Sequence, residues 1–286
     1  MSWHGEHRAV CVFSFDVDAE SPILAHSANY ADHAMTMTHQ AYGPRVGVRR
    51  ILAMLAEYDL KATFFVPGLT AERYPHVVEA ALSGGHEVAH HSYSHRNAST
   101  MAPGDERADF ERALKVLQAQ GAELKGHRAG LWEASWETPG LVAEYGLLYD
   151  SSLMDDDKPY VLDVGGRKIA ELPPHWSLDD WEQYAYVPDP MIGAVIESPV
   201  KVLEMWKAEL EAMRRHQCLF MLTCHPFLSG RPSRLEALRS LIEFALSFDD
   251  VEILTAEKVA TRALADTALV PRSLEPVVIE PGLYPN

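Results

Sequence analysis

Two carboxylates follow an apolar run within three positions, Asp16 and Asp18 of Phe15-Asp16-Val17-Asp18-Ala19-Glu20. At strand spacing they share a face. Acids beside a core are costly unless paired or bound to a cation, although turns and helix caps are the ordinary places for Asp. Farther on, His91 and His95 stand four apart in His90-His91-Ser92-Tyr93-Ser94-His95. One helical turn would put both imidazoles on one side, about 5–6 Å apart at Cβ. His86 and His90 repeat the interval, so spacing alone does not choose the pair. A carboxylate with two imidazoles suits zinc, cobalt, iron or nickel. His225 follows the apolar run Leu219–Cys224 and precedes Pro226. Together these groups supply a base, an ion and an acid. Trp132, Trp176 and Trp181 would wall a pocket by stacking on a flat or sugar ring, with core packing as the alternative. Glu20 is placed beside the substrate, the alternative being a cap on the next segment. Asp155, Asp156 and Asp157 read as a solvated loop, since three adjacent acids point in different directions.

Such residues act only if the fold gathers them. Short β-rich runs at 9–15, 62–66, 86–90, 124–128 and 219–223 read as buried strands, with further candidates at 149–152 and 168–172. Amphipathic stretches at 45–58, 75–82, 105–120, 199–216, 235–247 and 256–264 read as helices. Ser198-Pro199 supplies a cap and a first turn for one of them. This alternation predicts an α/β fold of parallel strands and crossover helices. A closed or nearly closed barrel is favoured, with reactive residues at the carboxyl ends of the strands. The competing open doubly wound sheet lacks a G-x-G-x-x-G or Walker loop. Residues 21–43 and 155–166 read as long loops, the kind that bind or cover ligands. We expect a single catalytic domain over 1–286, with a core at about 9–265 and an extended tail at 266–286 bearing Pro271, Pro276, Pro281 and Pro285.

Composition narrows the partners. Among 286 residues, 41 acidic and 25 basic ones leave a formal charge of −16. That surface repels phosphate backbones and anionic lipid, so neither nucleic acid nor membrane is an expected partner. Cys11, Cys218 and Cys224 are too few and too odd in number for a disulfide framework. The amino-terminal residues lack a basic-then-apolar leader pattern, which predicts a cytoplasmic location.

The chain resembles the polysaccharide deacetylase family, also called carbohydrate esterase family four. Asp16 and Asp18 match its paired acids, His91-Ser92-Tyr93-Ser94-His95 its H-[ST]-x-x-H, and Leu222-Thr223-Cys224-His225-Pro226 its Leu-x-x-His-Pro. Lys61–Gly68, Tyr149–Asp157 and Pro174–Asp180 resemble a branch holding peptidoglycan deacetylases and hydrolases of allantoin or cyclic imides, some of them metal-free. The resemblance implies a distorted, incomplete (β/α) barrel and a homo-oligomer. It implies Asp16 as general base, His225 as general acid and Arg128 as the partner of the base. Asp18, His91 and His95 would be ligands of a divalent ion, zinc first, then cobalt or nickel. The implied reaction is metal-dependent deacetylation of an N-acetylated sugar or related small amide. Metal-independent opening of a cyclic amide or imide is the alternative. One departure stands out: where the family continues Arg-x-Pro, this chain reads Arg128-Ala129-Gly130, which is expected to loosen that loop.

Overall fold

The computed structural model describes residues 2–280 and 282–285; Met1, Asn286 and Pro281 of the expected tail lie outside them. The first strand, β1 (Ala9–Asp16), is buried along its whole length. Continuous burial is what a strand covered on both faces requires, and it explains why Ala-Val-Cys-Val-Phe-Ser-Phe does not alternate in polarity. Next come β2 (Thr63–Val66), β3 (Glu87–His90), β4 (Gly126–His127), β5 (Tyr149–Asp150), β6 (Tyr160–Val164) and β7 (Arg167–Glu171). A small hairpin, β8 (Tyr186–Pro188) with β9 (Met191–Ala194), stands apart from the main sheet. The chain then returns through β10 (Leu219–Cys224) and β11 (Val251–Ile253).

The main sheet runs β10-β1-β2-β3-β4-β5-β7-β6, with β11 against the start of β1. Its pairings are parallel except β6 with β7. No pairing among the described residues joins β10 to β6, so the sheet is an incomplete barrel, as expected. Beyond β10, Asp179 bridges Thr223 in parallel and extends the wall by one residue. Helices such as Pro103–Ala119, Pro199–His216 and Pro232–Leu246 pack outside. Each opens on a proline, whose fixed φ and missing N–H suit a first helical turn. Ser198 stands at the cap position of the second, but its side chain makes no capping bond.

Two expected loops are ordered elements. Residues 21–43 form helices Ser21–His26 and Ala34–Tyr42 with a 3-10 turn, Ala28–Asp32, between them. The polar residues hid a buried stripe at Thr36, Gln40 and Ala41. Residues 155–166 contain β6, which turns into β7 at Gly165-Gly166, both at positive φ. A two-residue glycine turn of that kind is a hairpin signal. All three cysteines are buried and free. Among the described residues no helix is long and apolar enough to cross a membrane.

Candidate active site

β1 delivers Asp16 at its last position and Asp18 two residues later, both nearly fully buried. β3 ends at His90, and the next residue, His91, turns toward them. Asp18 Oδ1 lies 3.3 Å from His91 Nε2, and Asp18 Oδ2 lies 3.3 Å from His95 Nε2. The two imidazoles meet edge to face, 4.9 Å between ring centres.

The helical turn expected over His91–His95 is absent. Ser92 and His95 instead adopt left-handed φ of 58°. That loop is pinned from two sides. Asp109 accepts from Tyr93 N at 2.7 Å and from Ser94 N and Oγ. Gly68 N and Leu69 N donate to the carbonyls of Ser92 and Tyr93. A Cβ at Gly68 would come within 2.5 Å of the Tyr93 ring, so only glycine allows this approach. The competing pair is structural: His90 packs on Phe110 and bonds its carbonyl, while His86 Nδ1 accepts from Ala62 N.

His91 Nδ1 donates to the Arg128 carbonyl at 2.7 Å, which leaves the Nε2 lone pair facing Asp18. Asp18 Oδ1 and His91 Nε2 are buried without a hydrogen-bond partner. The ligating atoms of Asp18, His91 and His95 lie within 4.8 Å of one another. Two orphaned atoms in one oxygen-and-imidazole cluster are what a borderline divalent cation would satisfy. Burial works to raise the Asp18 carboxyl, but His95 and His91 outweigh it and hold it well below the usual range.

Arg128 is fully buried and donates from Nη1 to Asp16 Oδ1 at 2.6 Å and to Ser14 Oγ at 3.0 Å. Its Nε and Nη2 reach the Ser151 carbonyl and hydroxyl. The loop after it is fixed despite the missing proline, because Ala129 N donates to Ser152 Oγ at 2.9 Å. A Cβ at Gly130 would lie 3.0 Å from the His95 carbonyl, and Leu131 and Trp132 then adopt positive φ. Close packing replaces ring stiffness here.

His225 follows β10 and sits 3.5 Å from Asp18 Oδ2 through Nε2. Its Nδ1 and backbone N both reach Asp180 Oδ1, at 2.7 and 2.8 Å, and the Ser229 hydroxyl donates to the other Asp180 oxygen. Burial opposes protonation of His225, yet Asp179, Asp180 and Asp18 raise it to about 10. Burial chiefly raises the neighbouring Asp179 carboxyl to about 8. Asp179 and Asp180 were missed in the sequence, although two acids just ahead of the short helix Trp181–Tyr184 were an available signal.

These groups line a cavity of about 220 Å³ walled by Trp132, Trp176 and Trp181. Trp132 and Trp176 pack 4.7 Å apart, and Trp181 lies edge-on to His225. Of the expected residues, Arg128 and Glu20 lie outside this wall; Arg128 reaches the site through Asp16, whereas Glu20 does not. Its Oε1 accepts from Tyr74 at 2.6 Å and from Arg73 at 3.1 Å, turning it away from the cavity. Asp155 and Asp156 do not line this cavity and pair with Arg272.

The profile of the family described as polysaccharide deacetylase matches residues 31–129. A crystal structure from Mycobacterium smegmatis, provisionally described as a polysaccharide deacetylase, is 45% identical, with a TM-score of 0.94 and 98% of each chain covered. The peptidoglycan deacetylase of Helicobacter pylori is 26% identical over 87% of this chain and 94% of its own. The PuuE allantoinase structure has a TM-score of 0.79 at 24% identity, covering 93% of this chain and 94% of the other, and shares the fold.

Proposed function

We propose that this chain, which belongs to the polysaccharide deacetylase family and so to the hydrolases of non-peptide C–N bonds, deacetylates an N-acetylated sugar or related small amide with the help of a divalent ion. The observation that carries the reading is the orphaned pair Asp18 Oδ1 and His91 Nε2, buried beside His95. Asp18, His91 and His95 would hold the ion, zinc in the first instance. When bound it would supply Lewis acidity toward a carbonyl and a lowered pKa for water.

The chain's own groups do the rest. Asp16, fixed by Arg128 and lying 3.6 Å from His91 Nε2, stands where it can take a proton from the attacking water. His225 carries a proton on Nε2 toward the cavity while Asp180 holds Nδ1, an arrangement suited to protonating a departing nitrogen. The three indoles exclude water and offer faces to a sugar ring. The acidic surface fits a neutral saccharide or small molecule better than nucleic acid or lipid. We further propose a cytoplasmic homo-oligomer as the working form.

A compact cyclic amide or imide is the second reading, favoured by the small volume of the cavity. A hydrolysis screen over N-acetylated sugars, allantoin and cyclic imides, run on metal-loaded and chelated enzyme, separates the two. Turnover of acetylated sugars that disappears on chelation is expected. Full ring-opening activity after chelation would replace the first reading with the second.

A further inference from the structure

We propose that a second cavity, behind the catalytic one, binds a small oxyanion, a phosphate or a carboxylate. It measures about 780 Å³ and brings together His39, Arg231 and Arg234. In a chain of net charge −16 most buried or half-buried arginines hold a carboxylate, as Arg107, Arg128, Arg214, Arg239 and Arg262 do. Arg231 and Arg234 pair with none among the described residues. They lie instead over the rings of Tyr42, at 3.6 Å, and Tyr184, at 4.5 Å. Their hydrogen bonds among the described residues go to the Phe227 and Tyr184 carbonyls and account for only part of each guanidinium. Outside the lining, Arg50 donates to Tyr42 Oη at 2.6 Å and holds that ring in place.

Three further observations converge on the same space. His39 is held below its ordinary pKa by burial and then by Arg231 and Arg234, so both guanidinium groups lie close to its ring. An anion would offset their charge. Thr36 is only 5% exposed, lines the cavity and has no side-chain hydrogen-bond partner among the described residues. The helix Pro232–Leu246 begins here with no side-chain cap, and its first-turn residues Ser233 and Arg234 line the cavity. Its positive end adds to the two guanidinium groups. The acid on the wall, Asp189, is engaged by the Tyr30 hydroxyl at 2.6 Å. Tyr184 and Trp181 bound a single short helix, Trp181–Tyr184, between this cavity and the catalytic one.

The test is calorimetric titration of the full chain with inorganic phosphate and, separately, with acetate, at constant ionic strength. R231Q/R234Q, R231K/R234K and Thr36→Val are titrated alongside. One saturable site is expected, weakened about tenfold or more in the glutamine pair and retained in the lysine pair. Comparison of the two anions tells whether phosphate or carboxylate is preferred. Should the glutamine pair fold poorly, weaker binding by Thr36→Val carries the test. Absence of saturable binding by either anion overturns the proposal, as does equal affinity in all variants. A glutamine pair that alters only the oligomeric state would also overturn it, because the cavity would then seat an acidic group of a second copy.

Discussion

The two ends of β3 carry buried acids or imidazoles with opposite fates. At its amino end Glu87 is closed off: Thr63 Oγ1 and Tyr149 Oη donate to it at 2.7 Å each, and Glu257 N at 3.0 Å. Thr63 in turn accepts from Ala256 N, tying the helix Ala256–Ala265 to the sheet. At the carboxyl end, His91 and Asp18 meet with orphaned atoms and a loop twisted into left-handed φ. Both ends are buried. What separates them is satisfaction of polar atoms, and unsatisfied polar atoms persist in a fold chiefly where function needs them. The amino-terminal end of an α/β barrel serves stability and the carboxyl end serves chemistry.

The largest expected effects come from the open end. Asp18→Ala and His91→Ala should each lose bound metal and drop turnover by about 10³-fold, the equivalent of several kcal/mol of charge stabilisation. Metal analysis alongside kinetics checks this; full metal content with full turnover would remove either residue from the ligand set. Asp16→Asn should keep the metal and lose about 10²-fold or more in kcat. An unchanged rate would show that another group takes the proton.

Asp180→Asn comes next. It leaves His225 in place but weakens the contact that orients Nδ1, so kcat should fall by about 10–100-fold with KM little altered. A change confined to KM would mean that Asp180 shapes substrate binding instead.

Much of the comparison was readable in the residues, and its failures have physical causes. Apolar runs announced β1, β2 and β10 because strands buried on both faces need no alternation. Asp16, Asp18 and His225 were visible as polar groups placed directly after such runs. The path from His91 to His95 was not, because the contacts that force Ser92 and His95 into left-handed φ come from Gly68 and Asp109. Asp180 was hidden for a similar reason, since its partner His225 is 45 positions away. Glu87 gave no signal at all. Its three donors are distant in sequence, and a single Glu at a strand start reads as surface. Where position along one element decides, the residues suffice; where a long-range contact decides, they do not.

The smallest expected effect tests the closed end. Burial raises the Glu87 carboxyl above its ordinary value of about 4.5, while bonds from Glu257 N, Tyr149 and Thr63 pull it part of the way back. A raised acid binds its proton more tightly in the folded chain than in the unfolded one. Its favourable contribution is therefore complete below about pH 4.5 and is lost as pH rises through the folded value. Glu87→Gln keeps the shape and removes the titration. Relative to the parent chain, the variant should gain stability as pH climbs from about 4.5 through the folded value, with turnover per folded molecule unchanged. Denaturant unfolding at several pH values, paired with kinetics, reads both quantities. A parallel stability curve would mean that Glu87 does not titrate in this window. A loss of turnover in the folded variant would mean that the two ends of β3 are mechanically coupled, and that satisfying polar atoms at one end helps hold the other open.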